Sequence, residues 1–185
     1  MRNYLKFKPK DINKNVFKLF CMDITKPKFL YHGSPNKNIA IFEPRAESIR
    51  DPKEGPVIFG APDKVYASMF LVPSDDDWTS KGQFSGQYYQ AIADEKRYRE
   101  LDKGGAIYTF SSESFETDLT KSMKQREWIS RKPVKPIKKE VYESGLEAMK
   151  QLGVKVVFVT SDVFSEFRQK LRSGLVDEAF KLLFP

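Results

Sequence analysis

The chain has 185 residues, 40% hydrophobic and 14% aromatic, so it can bury a core of its own, and its length fits one domain better than two. A single cysteine excludes an intrachain disulfide, and with a single histidine beside it we expect no metal site. No apolar run approaches the roughly 18 residues of a membrane span and no secretory signal is visible, which predicts a cytoplasmic protein without a membrane partner.

The charge balance is basic. The chain carries 32 Lys and Arg residues against 25 Asp and Glu residues, a formal net charge of +7 at pH 7. Lysines cluster near the N-terminus, and basic residues cluster again over residues 131–139. An excess on one face would favour a polyanionic partner. Basic runs are usually solvated surface. We therefore expect an enzymatic function rather than nucleic-acid binding as the main function.

The first elements in chain order are a helix and a strand. The apolar spacing of residues 13–20 predicts a helix, and we interpret residues 1–27 as an N-terminal helical extension packed on a single domain, residues 28–185. The domain opens with a strand over residues 29–31, followed by the turn-forming sequence His-Gly-Ser-Pro at residues 32–35. This turn would present the imidazole at the mouth of a cleft.

A strand and an aromatic helix come next. An apolar run at residues 39–42 precedes a charged loop, and residues 57–59 predict a second strand. A proline opens a helix over residues 62–71, in which Tyr66 and Phe70 are four apart and share a face. We expect this aromatic face to line the same cleft as the histidine.

The middle of the chain alternates polar segments with strands. Residues 74–82 are polar and acidic around Trp78, which predicts a surface loop or, alternatively, a lid that folds the indole over a ligand. Strands are predicted over residues 86–92 and 104–110, with a charged patch at residues 94–102 between them.

The late segments complete an α+β pattern. Residues 125–130 alternate polar and apolar as a half-buried strand does, so Glu127 points to a cleft or to solvent if Trp128 faces the core. The remaining predicted elements are an extended segment, a helix, a buried strand and a closing helix or helix pair, at residues 132–137, 141–152, 154–160 and 163–184. About six or seven strands and four helices in mixed order indicate the α+β class.

Three separated features resemble the histidine–tyrosine–glutamate pattern of the ADP-ribosyltransferase superfamily, on its diphtheria-toxin and poly(ADP-ribose) polymerase side. They are His32 at a strand end, Tyr66 on a helix after the second strand, and Glu127 on a late strand. The segments that carry the resemblance are residues 31–34, 55–67 and 126–129, within a stretch of about 100 of the 185 residues. In this pattern the chain resembles uncharacterised bacterial or phage proteins. The resemblance implies a split β-sandwich of six or seven strands with flanking helices.

The resemblance also implies a function. Such a protein is a transferase of the glycosyltransferase class that moves ADP-ribose from NAD, its substrate, to a protein or nucleic-acid acceptor, or to water as an NAD glycohydrolase. Cleaving the bond between nicotinamide and ribose builds positive charge on the ribose, so a nearby carboxylate stabilises the oxocarbenium-like transition state. Glu127 is the candidate catalytic residue. We expect a monomer rather than an oligomer.

Aromatic residues are the candidates for binding nicotinamide, a flat cationic ring that attracts an aromatic face by stacking and by cation–π contact. Tyr66 would supply that face. The polymerase branch has a Tyr-Phe pair on the second strand, where this chain has Ile58 and Phe59. Phe59, Tyr66 and Phe70 therefore all remain candidates for the stacking partner.

His32, Gly33 and Ser34 complete the predicted NAD-binding residues. A neutral imidazole can exchange a hydrogen bond with a ribose hydroxyl, and Gly33 would let the backbone approach the nicotinamide amide closely. Gln125, two residues before Glu127, matches the Gln-x-Glu of some toxin-like transferases. That branch usually has an arginine where this chain has His32, so the match assigns no acceptor.

Other interpretations remain open. An RNA 2'-phosphotransferase on the same fold would need basic phosphate-binding residues, for which Arg45 and Arg50 are the nearest candidates. A non-catalytic ADP-ribosyltransferase-like module could use the basic flank to bind nucleic acid or a protein partner. A structural accessory protein has no positive support. Taken alone, each feature also has a structural interpretation. His32 and its neighbours could be a simple turn, Tyr66 and Phe70 could be core residues, and Glu127 could be a surface carboxylate.

Overall fold

The computed structural model describes residues 25–46, 55–117 and 127–184, and within these ranges it contains eight strands and five helices of the predicted α+β class. In chain order they are β1 (Phe29–Ser34), β2 (Ile58–Gly60), α1 (Lys64–Ser68), β3 (Thr79–Phe84), β4 (Gln87–Ile92), α2 (Glu95–Leu101), β5 (Gly105–Ser111), β6 (Trp128–Ser130), β7 (Lys138–Tyr142), α3 (Gly145–Gln151), β8 (Lys155–Phe158), α4 (Ser161–Arg172) and α5 (Val176–Leu183). The helix predicted over residues 13–20, Arg50 and Gln125 lie outside the described residues.

The strands form three small sheets. β5 lies between β1 and β7, β2 pairs with β6, and both of these sheets are antiparallel. In the third sheet β4 pairs antiparallel with β3 and parallel with β8. Among the described residues, no helix is long and apolar enough to cross a membrane.

The first two sheets meet at one point and then separate. Tyr31 of β1 and Ala61, which follows β2, exchange both backbone hydrogen bonds, at 2.7 and 2.8 Å. A continuing antiparallel ladder would next pair Gly33 with Phe59. The carbonyl of Phe59 instead accepts a hydrogen bond from the side chain of His32. The two strands therefore diverge after Tyr31, and a cleft opens between them.

The helix α1 lies across this cleft and is shorter than predicted. Asp63 caps it by accepting from the backbone N–H of Val65 at 2.7 Å, as expected near the predicted start. The next turn tightens, because the N–H groups of Met69 and Phe70 donate to carbonyls three residues back. The helix thus ends at Ser68, and Phe70 leaves it on a tight turn.

Several predicted elements were wrong in type. The segment at residues 94–102 forms the helix α2, which the pair of Glu95 and Arg99 at 2.6 Å supports. The helix predicted over residues 141–152 begins only at Gly145, because the preceding residues pair with β5 as strand β7. In α2 the ion pair along the helix, and in β7 the pairing with β5, outweigh the secondary structure that the local composition indicates.

The polar segment that follows α1 also differs from its prediction. The apolar run at residues 39–42, for which no element was predicted, contributes a bridge from Phe42 to Val134. The last residues of the polar segment 74–82 belong to β3. Trp78 is 6% exposed and packs in a core cluster with Tyr98, so both the surface-loop and the lid interpretation are wrong for its indole.

A partly buried carboxylate, that of Asp102, joins the end of α2 to the start of α3. Asp102 accepts hydrogen bonds from the backbone N–H groups of Gly104, Gly145 and Leu146 and from the hydroxyl of Ser144, at 2.7 to 3.0 Å. Burial raises its pKa, but the hydrogen bonds from Ser144 and from the three backbone groups outweigh burial and hold the pKa below its ordinary value of 3.8.

We expect Asp102→Asn to lower the free energy of unfolding by about 2 to 3 kcal/mol, because the amide turns a donor toward N–H groups that need an acceptor. The stability that the carboxylate contributes is present above the unfolded pKa and is lost as the pH falls through the lowered folded pKa. Urea denaturation should therefore show the full difference in the free energy of unfolding between the wild type and the variant at pH 7, and a smaller difference below about pH 4. The control Asp94→Asn keeps a good cap at α2 and should cost only a few tenths of a kcal/mol. Equal losses in both variants would contradict this role of Asp102.

Candidate active site

One cavity of about 280 Å³ lies where β1 and β2 diverge, closed by α1 on one side and by the residue before β6 on another. Of the seven predicted site residues, six line it: His32, Gly33, Phe59, Tyr66, Phe70 and Glu127. The seventh, Ser34, lines a neighbouring cavity. The chain therefore brings side chains from three distant segments to one small pocket.

His32 is fixed by the divergence of the strands. Its Nδ1 lies 2.8 Å from the carbonyl oxygen of Phe59, and because a carbonyl only accepts, this nitrogen carries the hydrogen. Nε2 of the neutral ring is then the acceptor. The ring also packs edge-on against Phe42, with centroids 4.9 Å apart.

The electrostatic setting keeps His32 neutral. Burial disfavours the charged ring and lowers its pKa below 6.5, the hydrogen bond with Phe59 acts in the opposite direction, and the positive charge of Arg45 lowers the pKa further. At pH 7 the side chain therefore serves as a hydrogen-bonding group with a defined tautomer rather than as a cation.

Gly33 presents backbone rather than a side chain to the cavity. A Cβ atom built on it would lie 1.9 Å from the carbonyl oxygen of Ala67 in α1, so no larger residue fits at this position. The register with β5 alternates, and Tyr31 directs its N–H and C=O away from β5, toward Ala61. Gly33 has the same parity, so its N–H and C=O also point toward the side on which the cleft opens.

Two aromatic rings of α1 and its following turn form a wall of the cavity. The rings of Tyr66 and Phe70 lie 5.4 Å apart at 69°, an edge-to-face pair. Tyr66 is 8% exposed, whereas Phe70 is 38% exposed and forms the outer part of the wall. Phe59 of β2 lies on another side of the same cavity.

Lys81 supports this wall and was missed from the sequence. Its Nζ lies 4.2 Å from the centroid of the Phe70 ring and donates to the carbonyl of Met69 at 3.1 Å. Burial lowers the pKa of Lys81 to about 8, with the carboxylate of Asp76 acting in the opposite direction. The sequence of residues 74–82 predicts a polar loop. In the structure Lys81 belongs to β3, which pairs with β4, and its side chain lies against Phe70.

Glu127 supplies the carboxylate. Its Oε1 accepts a hydrogen bond from the hydroxyl of Tyr66 at 3.3 Å, and its backbone carbonyl accepts from Thr117 at 3.2 Å. The next residue, Trp128, is 5% exposed in the core, and Glu127 itself lines the cavity, which is one of the two directions expected for it. The carboxylate and the aromatic wall are thus tied directly to each other.

A second cavity of about 450 Å³ adjoins the first, and His32 and Phe59 line both. Ser34 and Arg45 line this second cavity, and the side chain of Arg45 is exposed. Roughly 300 to 1,000 Å³ is usual for small-molecule sites, so the two cavities offer room for an elongated ligand.

Comparisons with family models, curated proteins and solved structures found no significant match to the chain.

Proposed function

We propose that the chain binds NAD in this cleft and transfers its ADP-ribose to a macromolecular acceptor, protein or nucleic acid, or to water, on an ADP-ribosyltransferase-like split sandwich. One observation carries the proposal: His32, the aromatic wall of Tyr66 and Phe70, and Glu127 line a single cavity of about 280 Å³. Each comes from a different part of the chain, and each has a role in the chemistry of the nicotinamide–ribose bond.

The first role is recognition of the nicotinamide amide. A primary carboxamide carries one acceptor oxygen and an NH₂ donor, and the N–H and C=O of one residue at a strand edge match that pair. Gly33 offers these groups toward the cleft. Because Gly33 has no Cβ, α1 can pack close to β1 without a clash between the two.

The second role is stacking. Tyr66 and Phe70 stand at 69° to each other, so a flat ring can lie parallel to only one of them. Lys81 already places a positive charge over Phe70, and a cationic nicotinamide would compete with it for the ring quadrupole. Tyr66 is therefore preferred over Phe70 as the stacking partner, and Phe59, which also lines the cavity, is the remaining candidate.

The third role is stabilisation of charge. As the bond between nicotinamide and the ribose C1' breaks, the bonding electron pair leaves with nicotinamide and positive charge grows on the sugar. Glu127 places a carboxylate in the cavity, oriented by the Tyr66 hydroxyl. An oxygen or nitrogen of the acceptor then bonds to C1', and its proton passes to Glu127 or to water. Nε2 of His32 can accept a hydrogen bond from a ribose hydroxyl.

The proposal is tested with purified protein and NAD labelled in the nicotinamide ring. We expect free nicotinamide to accumulate, with free ADP-ribose beside it if water is the acceptor. NAD at 100 times its Kd should also stabilise the fold by about 2.7 kcal/mol, read as a rise in Tm. If the protein releases no nicotinamide and NAD does not change its Tm, the proposal is overturned and a non-catalytic binding module is favoured.

A further inference from the structure

A strip of three exposed lysines lies beside the second cavity. Residues 131–139 contain five Lys and Arg residues and no Asp or Glu. We call Lys132, Lys135 and Lys139 the lysine strip, and all three are exposed. Lys139 also donates to the backbone carbonyl of Lys37 at 2.9 Å, which fixes one end of the strip.

The strip is anchored next to the cleft. Val134, between the first two lysines, is 7% exposed and exchanges both backbone hydrogen bonds with Phe42 at 2.9 Å. Phe42 and Arg45 line the second cavity. Paired backbones lie about 5 Å apart, so the strip runs one backbone away from the segment that borders the cavity.

Among the described residues, no ion pair neutralises the charges of the lysine strip. Of the other basic residues in the segment, Arg131 pairs with Glu116 at 3.4 Å and Lys138 with Glu140 at 3.3 Å. Within residues 25–46, 55–117 and 127–184, the three strip lysines have no ion pair. Glu43, beside Phe42, is the nearest acidic residue along the facing segment.

We propose that the lysine strip docks a single-stranded nucleic acid by its phosphates and that this strand is the acceptor of ADP-ribose, an inference that rests on the proposed function. Lysine is depleted from protein–protein interfaces, whereas nucleic-acid interfaces are rich in positive charge. The acceptor atom must reach the cavity, and a base within a duplex is stacked and paired, so an unpaired strand fits the geometry.

The test is fluorescence anisotropy with a labelled single-stranded oligonucleotide of about 16 nucleotides, without NAD. The variant Lys132→Glu/Lys135→Glu/Lys139→Glu is compared with the control Lys96→Glu/Lys103→Glu/Lys181→Glu, whose residues are also exposed. Three phosphate contacts account for a slope of about −2 in log affinity against log salt, or about a 20-fold loss between 50 and 200 mM. We expect the strip variant to bind at least 20-fold more weakly at 50 mM and to lose that slope, and the control to change less than 3-fold.

Equal losses in the two variants would overturn the inference, because the binding would then depend only on net charge. Equally tight binding of duplex DNA, or equal competition by polyglutamate, would overturn it in favour of another polyanion. Because the binding assay contains no NAD, its outcome is separate from nicotinamide release, which tests the proposed function. With NAD labelled in its ADP-ribose part, we expect wild-type protein to transfer the label to the oligonucleotide. Nicotinamide release without label on the oligonucleotide would overturn the assignment of the strand as acceptor.

Discussion

Glu127→Gln should reduce the rate of nicotinamide release from NAD by about 10² to 10³-fold while NAD binding stays within a few-fold of the wild type. The substitution keeps the size of the side chain and an oxygen that can accept from the Tyr66 hydroxyl, which bonds Oε1 at 3.3 Å. It removes only the negative charge. If that charge acts on the ribose in the transition state, kcat falls and the affinity for NAD does not.

The matched control is Glu116→Gln. Glu116 bridges through its backbone to Ile129, two residues after Glu127, but its side chain is 68% exposed and pairs with Arg131. This variant should keep at least half of the wild-type rate. Unchanged release in Glu127→Gln would contradict a catalytic role for the carboxylate, and equal losses in both variants would indicate a general effect of charge.

Gly33→Ala should lower the free energy of unfolding by about 3 kcal/mol or more and abolish the stabilisation by NAD. The added Cβ would meet the backbone carbonyl of Ala67 at 1.9 Å, and a backbone atom cannot rotate away as a side chain can. The helix α1 must therefore move off β1, and it carries Tyr66 with it. Urea denaturation gives the first effect, and the change of Tm on adding NAD gives the second.

Gly82→Ala is the control for Gly33→Ala. Gly82 is also a strand glycine, but its added Cβ would lie 3.2 Å from the side chain of Tyr89, which can shift by a few tenths of an ångström. We expect a cost of about 1 kcal/mol or less and an unchanged response to NAD. A Gly33→Ala variant as stable as this control would show that α1 does not pack against β1 as the structure has it.

The class of the fold could be predicted because several of the strands have strong apolar patterns. β5 and β8 follow from runs of apolar residues, and the Gly-ended helix α3 was expected, though with the wrong start. β7 could not be predicted, because its charged sequence gains strand structure only from pairing with β5. Pairing between distant segments is not visible in local composition.

That three of the predicted site residues meet in one cavity could be expected for a different reason. His32, Tyr66 and Glu127 were identified from their order and from a resemblance to a known pattern, and all three line one cavity. Lys81 and the position of Arg45 could not be found this way, since both depend on how a polar segment folds back onto the cleft. Sequence patterns indicate which residues carry chemistry, whereas the supporting contacts follow from tertiary structure.

The most direct test of the account is a crystal structure of the Glu127→Gln variant with NAD, in which the slow variant preserves the substrate. We predict the nicotinamide ring stacked on Tyr66 in the cavity, its amide at the backbone of Gly33, and the ribose C1' beside residue 127. NAD bound at any other surface, or its ribose on the far side of His32 from residue 127, would contradict the account.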